Sequence, residues 1–272
     1  SAPVLDRLRT QAVRVDGRDL RCKVVGEGGN LGFTQRGRIE YALTGGRINT
    51  DAIDNSAGVD TSDHEVNIKI LLNAVVAAGE MPEEQRNKLL AEMTDEVAAL
   101  VLRDNYFQTQ SLSISGRLGV ALLDAQARFI RSLERAGKLN RAIEFLPSDE
   151  EITARGAAKT GLTSPERAVL LAYSKMALYD ELLASDIAED PYIATALERY
   201  FPMALRERYR DQIRRHALKR EIVATHVANS MINRVGSTFV HRMQEETGAA
   251  SPDVVRAYIL ARDIFGGEAR IF

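Results

Sequence analysis

Lys23-Val24-Val25-Gly26-Glu27-Gly28-Gly29-Asn30-Leu31-Gly32 is the stretch on which the reading of the fold turns. An apolar run entering a series of glycines reads as a short strand that runs into a flexible turn. It is not a dinucleotide fingerprint. After Gly26-x-Gly28, Leu31 stands where the third glycine belongs, and Phe33-Thr34-Gln35-Arg36-Gly37 is a poor opening for a helix whose N-terminus would hold a pyrophosphate. A later strand, whose C-terminal edge faces a ligand, would still read this way.

Residues 13 to about 60 carry further short apolar runs, Ile39-Glu40-Tyr41-Ala42-Leu43 and Arg47-Ile48-Asn49-Thr50, each bounded by glycine or asparagine. These read as strands joined by tight turns. From Ser62 the period becomes helical, with Val66, Ile70, Leu71 and Ala74 on one face, and then Leu89, Leu90, Met93, Val97 and Leu100 on another. Helices are expected over 63–78, 83–103, 106–136, 149–158, 165–185, 192–200, 203–232, 236–247 and 252–265. Ser62 with Glu65 and Ser148 with Glu151 have capping-box spacing. Pro82, Pro165 and Pro252 stand where a first helical turn tolerates proline, each followed by an acid that suits the helix dipole.

The 272 residues are 45% hydrophobic, enough for a sizeable core, and 36 bases nearly balance 38 acids for a formal charge of -2. That balance gives no general attraction to nucleic acid or to an anionic membrane. The most basic stretch, Arg206 to Arg220, has Glu207 and Asp211 among its arginines and no interleaved aromatic row, so it reads as a solvated helix or a subunit contact. Cys22 is the one cysteine, which excludes an internal disulfide and a cysteine-based zinc cluster and suits a reducing, cytoplasmic compartment. His64, His216, His226 and His241 stand apart without zinc-ligand spacing, so no metal is expected. No stretch approaches the ~20 apolar residues of a membrane helix, and residues 1 to 12 do not form a signal-peptide core. The opening Ser1-Ala2-Pro3, without an initiator methionine, suggests a piece of something longer.

A second turn, Asn49-Thr50-Asp51-Ala52-Ile53-Asp54-Asn55-Ser56-Ala57-Gly58-Val59-Asp60, follows the first and leads to Ser62 and Glu65. The two turns resemble, in order, a Glu-Gly-Ala-Asn-Gly type turn and an Asp-x-x-Asn-Ala-Gly-Gly-Val loop of glutamate dehydrogenases. Their wording, together with Arg220-Glu221-Ile222-Val223-Ala224-Thr225 and Asn233-Arg234-Val235-Gly236-Ser237-Thr238-Phe239-Val240, is similar to the C-terminal portion of the large bacterial NAD-specific branch. The resemblance spans most of the chain.

That resemblance implies a mixed α/β remnant over residues 1–75, part of a Rossmann-type parallel sheet and of an NAD-binding dehydrogenase domain. A mostly α-helical C-terminal domain would follow over 76–272, leaving the chain predominantly α. The segments before Gly26 and before Asp51 would have to run parallel, with both turns at one edge. It implies NAD as cofactor, L-glutamate and 2-oxoglutarate as substrate and product, and a homo-oligomer. Asn30 would contact the nicotinamide ribose region, Asn55 would reach cofactor or substrate, and Gly28, Gly29 and Gly58 would let backbone approach the ligand. Ser62 would meet the distal carboxylate of glutamate. From the residues alone, Asn30 and Asn55 read as turn residues that tolerate left-handed backbone, and Ser62 as a helix cap. Ala57-Gly58 departs from the paired glycines of the compact enzymes, and Asp60 and Asp63 add negative charge beside a site for a dicarboxylate. The family's catalytic lysine and aspartate and its pyrophosphate turn belong upstream, so no catalytic residue is assigned here and the isolated chain is expected to be inactive. Two other readings stay open: a helical interaction or regulatory module without its own ligand site, and a nucleotide-binding protein that uses the Gly26 to Gly32 turn for phosphate.

Overall fold

The computed structural model describes residues 15–266, and helix dominates them. In chain order the α-helices are α1 (Gln35–Leu43), α2 (Asp51–Asp54), α3 (Ser56–Ala77), α4 (Glu83–Glu92), α5 (Thr94–Leu118), α6 (Val120–Arg135) and α7 (Asp149–Ala157). Then come α8 (Ser164–Leu183), α9 (Thr195–Tyr200), α10 (Met203–Arg208), α11 (Arg210–Arg214), α12 (Lys219–Val235), α13 (Phe239–Thr247) and α14 (Ser251–Ile264). The opening residues Ser1-Ala2-Pro3 and the stretch 1–12 lie outside the described residues.

The expected remnant of a Rossmann-type parallel sheet is corrected by this architecture. Among the described residues there is no sheet, only one isolated parallel bridge between Val24 and Arg47. The extended segments around these residues pair with each other through two backbone bonds, and two strands alone fall short of the three or more an independent sheet needs. The run Ile39–Leu43, read as a strand, belongs to α1. Thr34 caps that helix by accepting from the Gly37 N–H at 3.1 Å, and Arg38 and Tyr41, three residues apart, bury one face. Gly46 is needed beneath the Tyr41 ring, since a Cβ there would come within 2.2 Å of it. The stretch Phe33–Gly37 therefore does open a helix.

Other boundaries move for local reasons. Helix α3 starts at Ser56, with Asn55 as its N-cap residue, so Ser62 is not a cap; it sits inside the helix and its hydroxyl donates to the Gly58 carbonyl at 3.2 Å. Gly119, at φ 51, divides the expected 106–136 helix into α5 and α6, because a positive φ cannot continue a right-handed helix. Tyr209, at φ -128, and the turn after Arg215 divide the expected 203–232 helix into α10, α11 and α12. That last turn is held by His216: its Nδ1 accepts from the Leu218 N–H at 3.0 Å, which leaves the proton on Nε2 to donate to the Asn67 carbonyl at 3.0 Å.

Helix α6 is amphipathic, burying Leu123, Ala127, Ile130 and Leu133 along one stripe. Helix α12 packs most extensively on α8 and then on α5, and one core joins Ile53, Leu72, Leu171, Leu182, Met231 and Val255. Truncating a fully buried member such as Leu72 to alanine would cost about 2–5 kcal/mol. The expected boundary near residue 75 lies inside α3, whose Leu72 and Val75 belong to this core. Helix α8 begins on a buried carboxylate: Glu166 Oε2 accepts from the Thr163 N–H at 2.6 Å and the Thr163 hydroxyl at 2.8 Å, and both Glu166 oxygens take Arg155 at 2.7 and 2.8 Å.

Candidate functional site

The segments around Val24 and Arg47 run parallel, with the Val25 N–H donating to the Arg47 carbonyl at 2.9 Å and the Arg47 N–H to the Lys23 carbonyl at 3.0 Å. A parallel pair sends both chains out at the same end. The turns that follow meet: the Asn55 side-chain amide donates to the Asn30 side-chain oxygen at 2.9 Å. The bond leaves an amide donor on Asn30 and a carbonyl acceptor on Asn55 for another partner.

A frame of carboxylates holds the two turns in register. Glu27 is buried in the first turn, and both its oxygens accept from Arg38 of α1, at 2.6 and 2.9 Å. Glu27 Oε1 also accepts from the Phe33 N–H at 3.1 Å, so one side chain closes the turn and ties it to the helix that follows. Asp54 and Asp51 reach across from the second turn, accepting from the backbone N–H of Glu27 at 2.9 Å and of Leu31 at 3.1 Å. That contact accompanies a left-handed Leu31, at φ 64, which is almost fully exposed. The second turn is fastened to the helical body by Asn105 of α5, which donates to the Ile53 carbonyl at 3.0 Å and Ser56 Oγ at 2.9 Å, and by Ser164 of α8, which donates to Asn49 at 2.8 Å.

Gly28 and Gly29 are exposed, and a Cβ on either would meet nothing within 4 Å, so open space lies against the backbone there. Gly58 has a steric reason to be glycine: a Cβ would stand 2.8 Å from the Asn55 side-chain oxygen. Ser62 is exposed on α3, one turn beyond Gly58. Glu27, Arg38, Asp51 and Asp54 were not singled out from the sequence. The signal available was a charged residue inside a glycine run and two aspartates at i, i+3.

Beneath the second turn lies a set of coupled charges from three helices. Burial, aided by the carboxylates of Asp104 and Asp63, pushes the Asp60 carboxyl up to about 7. Burial likewise raises Asp104 and lowers the Lys175 ammonium to about 8, against the pull of Asp104 and Asp60. Lys175 donates to Gln108 Oε1 at 2.7 Å, and the Gln108 amide reaches the Ile53 carbonyl at 3.5 Å, which links the set to the turn. A carboxyl near 7 beside an amine near 8 can hold or release a proton around neutrality. Asp63 accepts from the Tyr200 hydroxyl at 2.7 Å, and Tyr200 stacks on the buried His64 at 4.3 Å between ring centres. The negative charge read at Asp60 and Asp63 is therefore moderated at Asp60 by the raised pKa and engaged by a hydroxyl at Asp63.

The remaining histidines serve packing and turns: His216 as above, His226 half-buried against Tyr200, and His241 beside Phe129. The basic stretch is largely spent on internal contacts, with Arg210 and Arg214 on Glu198 and Arg220 on Glu189 and the carbonyls of Leu183 and Ser185. Among the described residues no group of acids, histidines and cysteines could hold a metal, and no helix is long and apolar enough to cross a membrane.

Two family models match. Residues 1–115 match the bacterial NAD-glutamate dehydrogenase catalytic domain, and residues 159–271 match the C-terminal region of glutamate dehydrogenase. NAD-specific glutamate dehydrogenases of Halomonas elongata, Pseudomonas aeruginosa and Mycobacterium tuberculosis are 55%, 54% and 49% identical to this chain over 93% of its length. The chain spans 16% of the length of each of these relatives. Matched at both ends by the family's own models, and across nearly its whole length by its members, the chain belongs to the large bacterial NAD-specific glutamate dehydrogenases, of which it is a portion.

Proposed function

We propose that this chain is part of an NAD-dependent glutamate dehydrogenase and that its paired asparagine turns form one wall of the cofactor and substrate cleft. In the complete enzyme, L-glutamate, NAD+ and water give 2-oxoglutarate, ammonium, NADH and a proton. The observation that carries the reading is the 2.9 Å bond between Asn30 and Asn55 at the shared end of two parallel segments. The residues present fit the nicotinamide end of the cofactor. The donor left on Asn30 and the acceptor left on Asn55 complement a carboxamide, and the open space against Gly28 and Gly29 admits a ring or ribose without a side chain in the way. NAD, when bound, supplies the hydride acceptor.

This chain's own part is positioning. Glu27, Arg38, Asp51 and Asp54 fix the two turns, Gly58 gives Asn55 its room, and Ser62, exposed one turn further along α3, would meet the distal carboxylate of glutamate by turning its hydroxyl away from the Gly58 carbonyl. Residues up to about 75 border the cleft and 76–272 form the scaffold behind it. No residue of this chain is assigned to hydride or proton transfer, and the homo-oligomeric, cytoplasmic setting belongs to the same reading. Glutamate-dependent NADH production tests it. The complete enzyme should give a signal that Asn30→Ala lowers through a raised KM for NAD, and the 272-residue chain alone should give none. Turnover by the chain alone, or an unchanged KM in the variant, would contradict it.

A further inference from the structure

Two amides of α5 converge on one carbonyl of the second turn. Asn105 and Gln108 stand three residues apart, neighbours on the helix surface, and both donate to the Ile53 carbonyl, at 3.0 and 3.5 Å. Ile53 lies two residues before Asn55, and the Asn105 amide also donates to Ser56 Oγ, one residue after it, at 2.9 Å. The helical body thus brackets Asn55 on both sides, and the place from which its side chain meets Asn30 depends on these bonds.

The buried Gln108 amide has two ends of opposite sense, and Lys175 of α8 decides which of them faces the turn. The Lys175 ammonium donates to Gln108 Oε1 at 2.7 Å, so the NH2 end is the one left for Ile53. Without that donor nothing holds the amide in this sense, and its reversal would set one carbonyl oxygen against another. Burial disfavours the Lys175 charge, while the carboxylates of Asp104 on α5 and Asp60 on α3 support it. Asp104 is shared with Arg103, at 3.8 Å, and with Arg234. The ammonium is therefore compensated, and what it adds is direction.

We propose that Lys175 is a positioning residue for the cofactor turn: through the Gln108 amide it fixes the Ile53 carbonyl, and with it the place of Asn55. The inference rests on the reading of Asn30 and Asn55 as cofactor ligands. A charged donor makes a hydrogen bond roughly twice as strong as a neutral one. Burial brings Lys175 down to about 8, so its bond to Gln108 passes from a charged to a neutral donor as pH rises through that value. Asp60 has by then gained its charge, near 7. NAD affinity is expected to fall over the same interval.

Calorimetric titration of the complete enzyme with NAD, repeated from about pH 6 to 9, tests this. Wild type should lose affinity several-fold between about pH 7 and 9. Lys175→Met should bind several-fold more weakly at the lower pH and show no such fall, a change of pH profile that a merely structural role would not produce. Gln108→Leu should weaken NAD to a similar degree, and Lys175→Met should add nothing further to it. Wild-type affinity in Lys175→Met, or a loss of the same size at every pH, overturns the proposal. Asn30→Ala measured beside them keeps the two readings apart. Weakened binding in Asn30→Ala with none in Lys175→Met counts against Lys175 alone, whereas unchanged binding in Asn30→Ala removes the cofactor wall on which the proposal rests.

Discussion

The Asn55 side-chain amide donates to the Asn30 side-chain oxygen at 2.9 Å, joining two turns whose preceding segments pair in parallel at Val24 and Arg47. Both turns are built so that this contact can form: carboxylates of the second hold backbone N–H groups of the first, and Asn105 and Ser164 fix the second to the helical body. Two carboxamides locked in this way present a donor and an acceptor in fixed register. Fixed register spares the ordering cost that a flexible loop would bear on binding.

Gly58→Ala separates stability from ligand binding. Alanine is the better helix former by about 1 kcal/mol, so the melting temperature should hold or rise. The new Cβ would stand 2.8 Å from the Asn55 side-chain oxygen and must displace it. NAD affinity of the complete enzyme should fall about tenfold, or about 1.4 kcal/mol. Unchanged affinity with unchanged stability would remove Gly58 from the site.

Arg38→Met leaves Glu27 buried beside an apolar side chain, with its two guanidinium bonds lost. Breaking one partner of a buried pair costs about 3–5 kcal/mol, which denaturant unfolding would register as a lower midpoint. Glu27→Gln combined with Arg38→Met should recover part of the loss, because the buried Glu27 charge is then removed and only the partly exposed Asp51 has lost its partner.

Asp60 ties stability to pH with a definite sign. Its folded pKa, about 7, lies above the unfolded value, so the folded protein holds a proton that the unfolded chain has released. Stability therefore falls as pH rises from about 4 to 7, and the penalty is fully present above that range. Asp60→Asn should stabilise by roughly 1–2 kcal/mol at pH 8, after allowing for the water that reaches this carboxyl, and by little at pH 4. Lys175 works in the other window. Its folded value, about 8, lies below the unfolded one, so its penalty is present below 8 and is relieved as pH rises above that. Thermal melts of wild type and Asp60→Asn at both pH values check the sign.

Much of this was legible from local chemistry. The Ser148 capping box, with Glu151 donating its N–H to Ser148 at 3.2 Å, and the prolines in the first turns of α8 and α14 follow from spacings of a few residues, while the order of the two asparagine turns came from the resemblance to the family. What failed depended on context. Ile39–Leu43 has strand-like apolar residues, yet Thr34 caps a helix there and Tyr41 packs over Gly46. The start of α3 was missed because Ser56-Ala57-Gly58 shows no apolar period, while Ser62 with Glu65 imitates a cap. The Glu27–Arg38 pair and the grouping of Asp60, Asp104 and Lys175 are products of tertiary packing, and no spacing in the chain announces them.

A double-mutant cycle on NAD binding to the complete enzyme, with Asn30→Ala, Asn55→Ala and the pair, measures whether the two carboxamides recognise the cofactor together. If the bonded carboxamides act as one recognition element, each single variant weakens NAD about tenfold and the pair weakens it by much less than the product of the two. Affinity that stays at the wild-type value in all three variants would contradict the account.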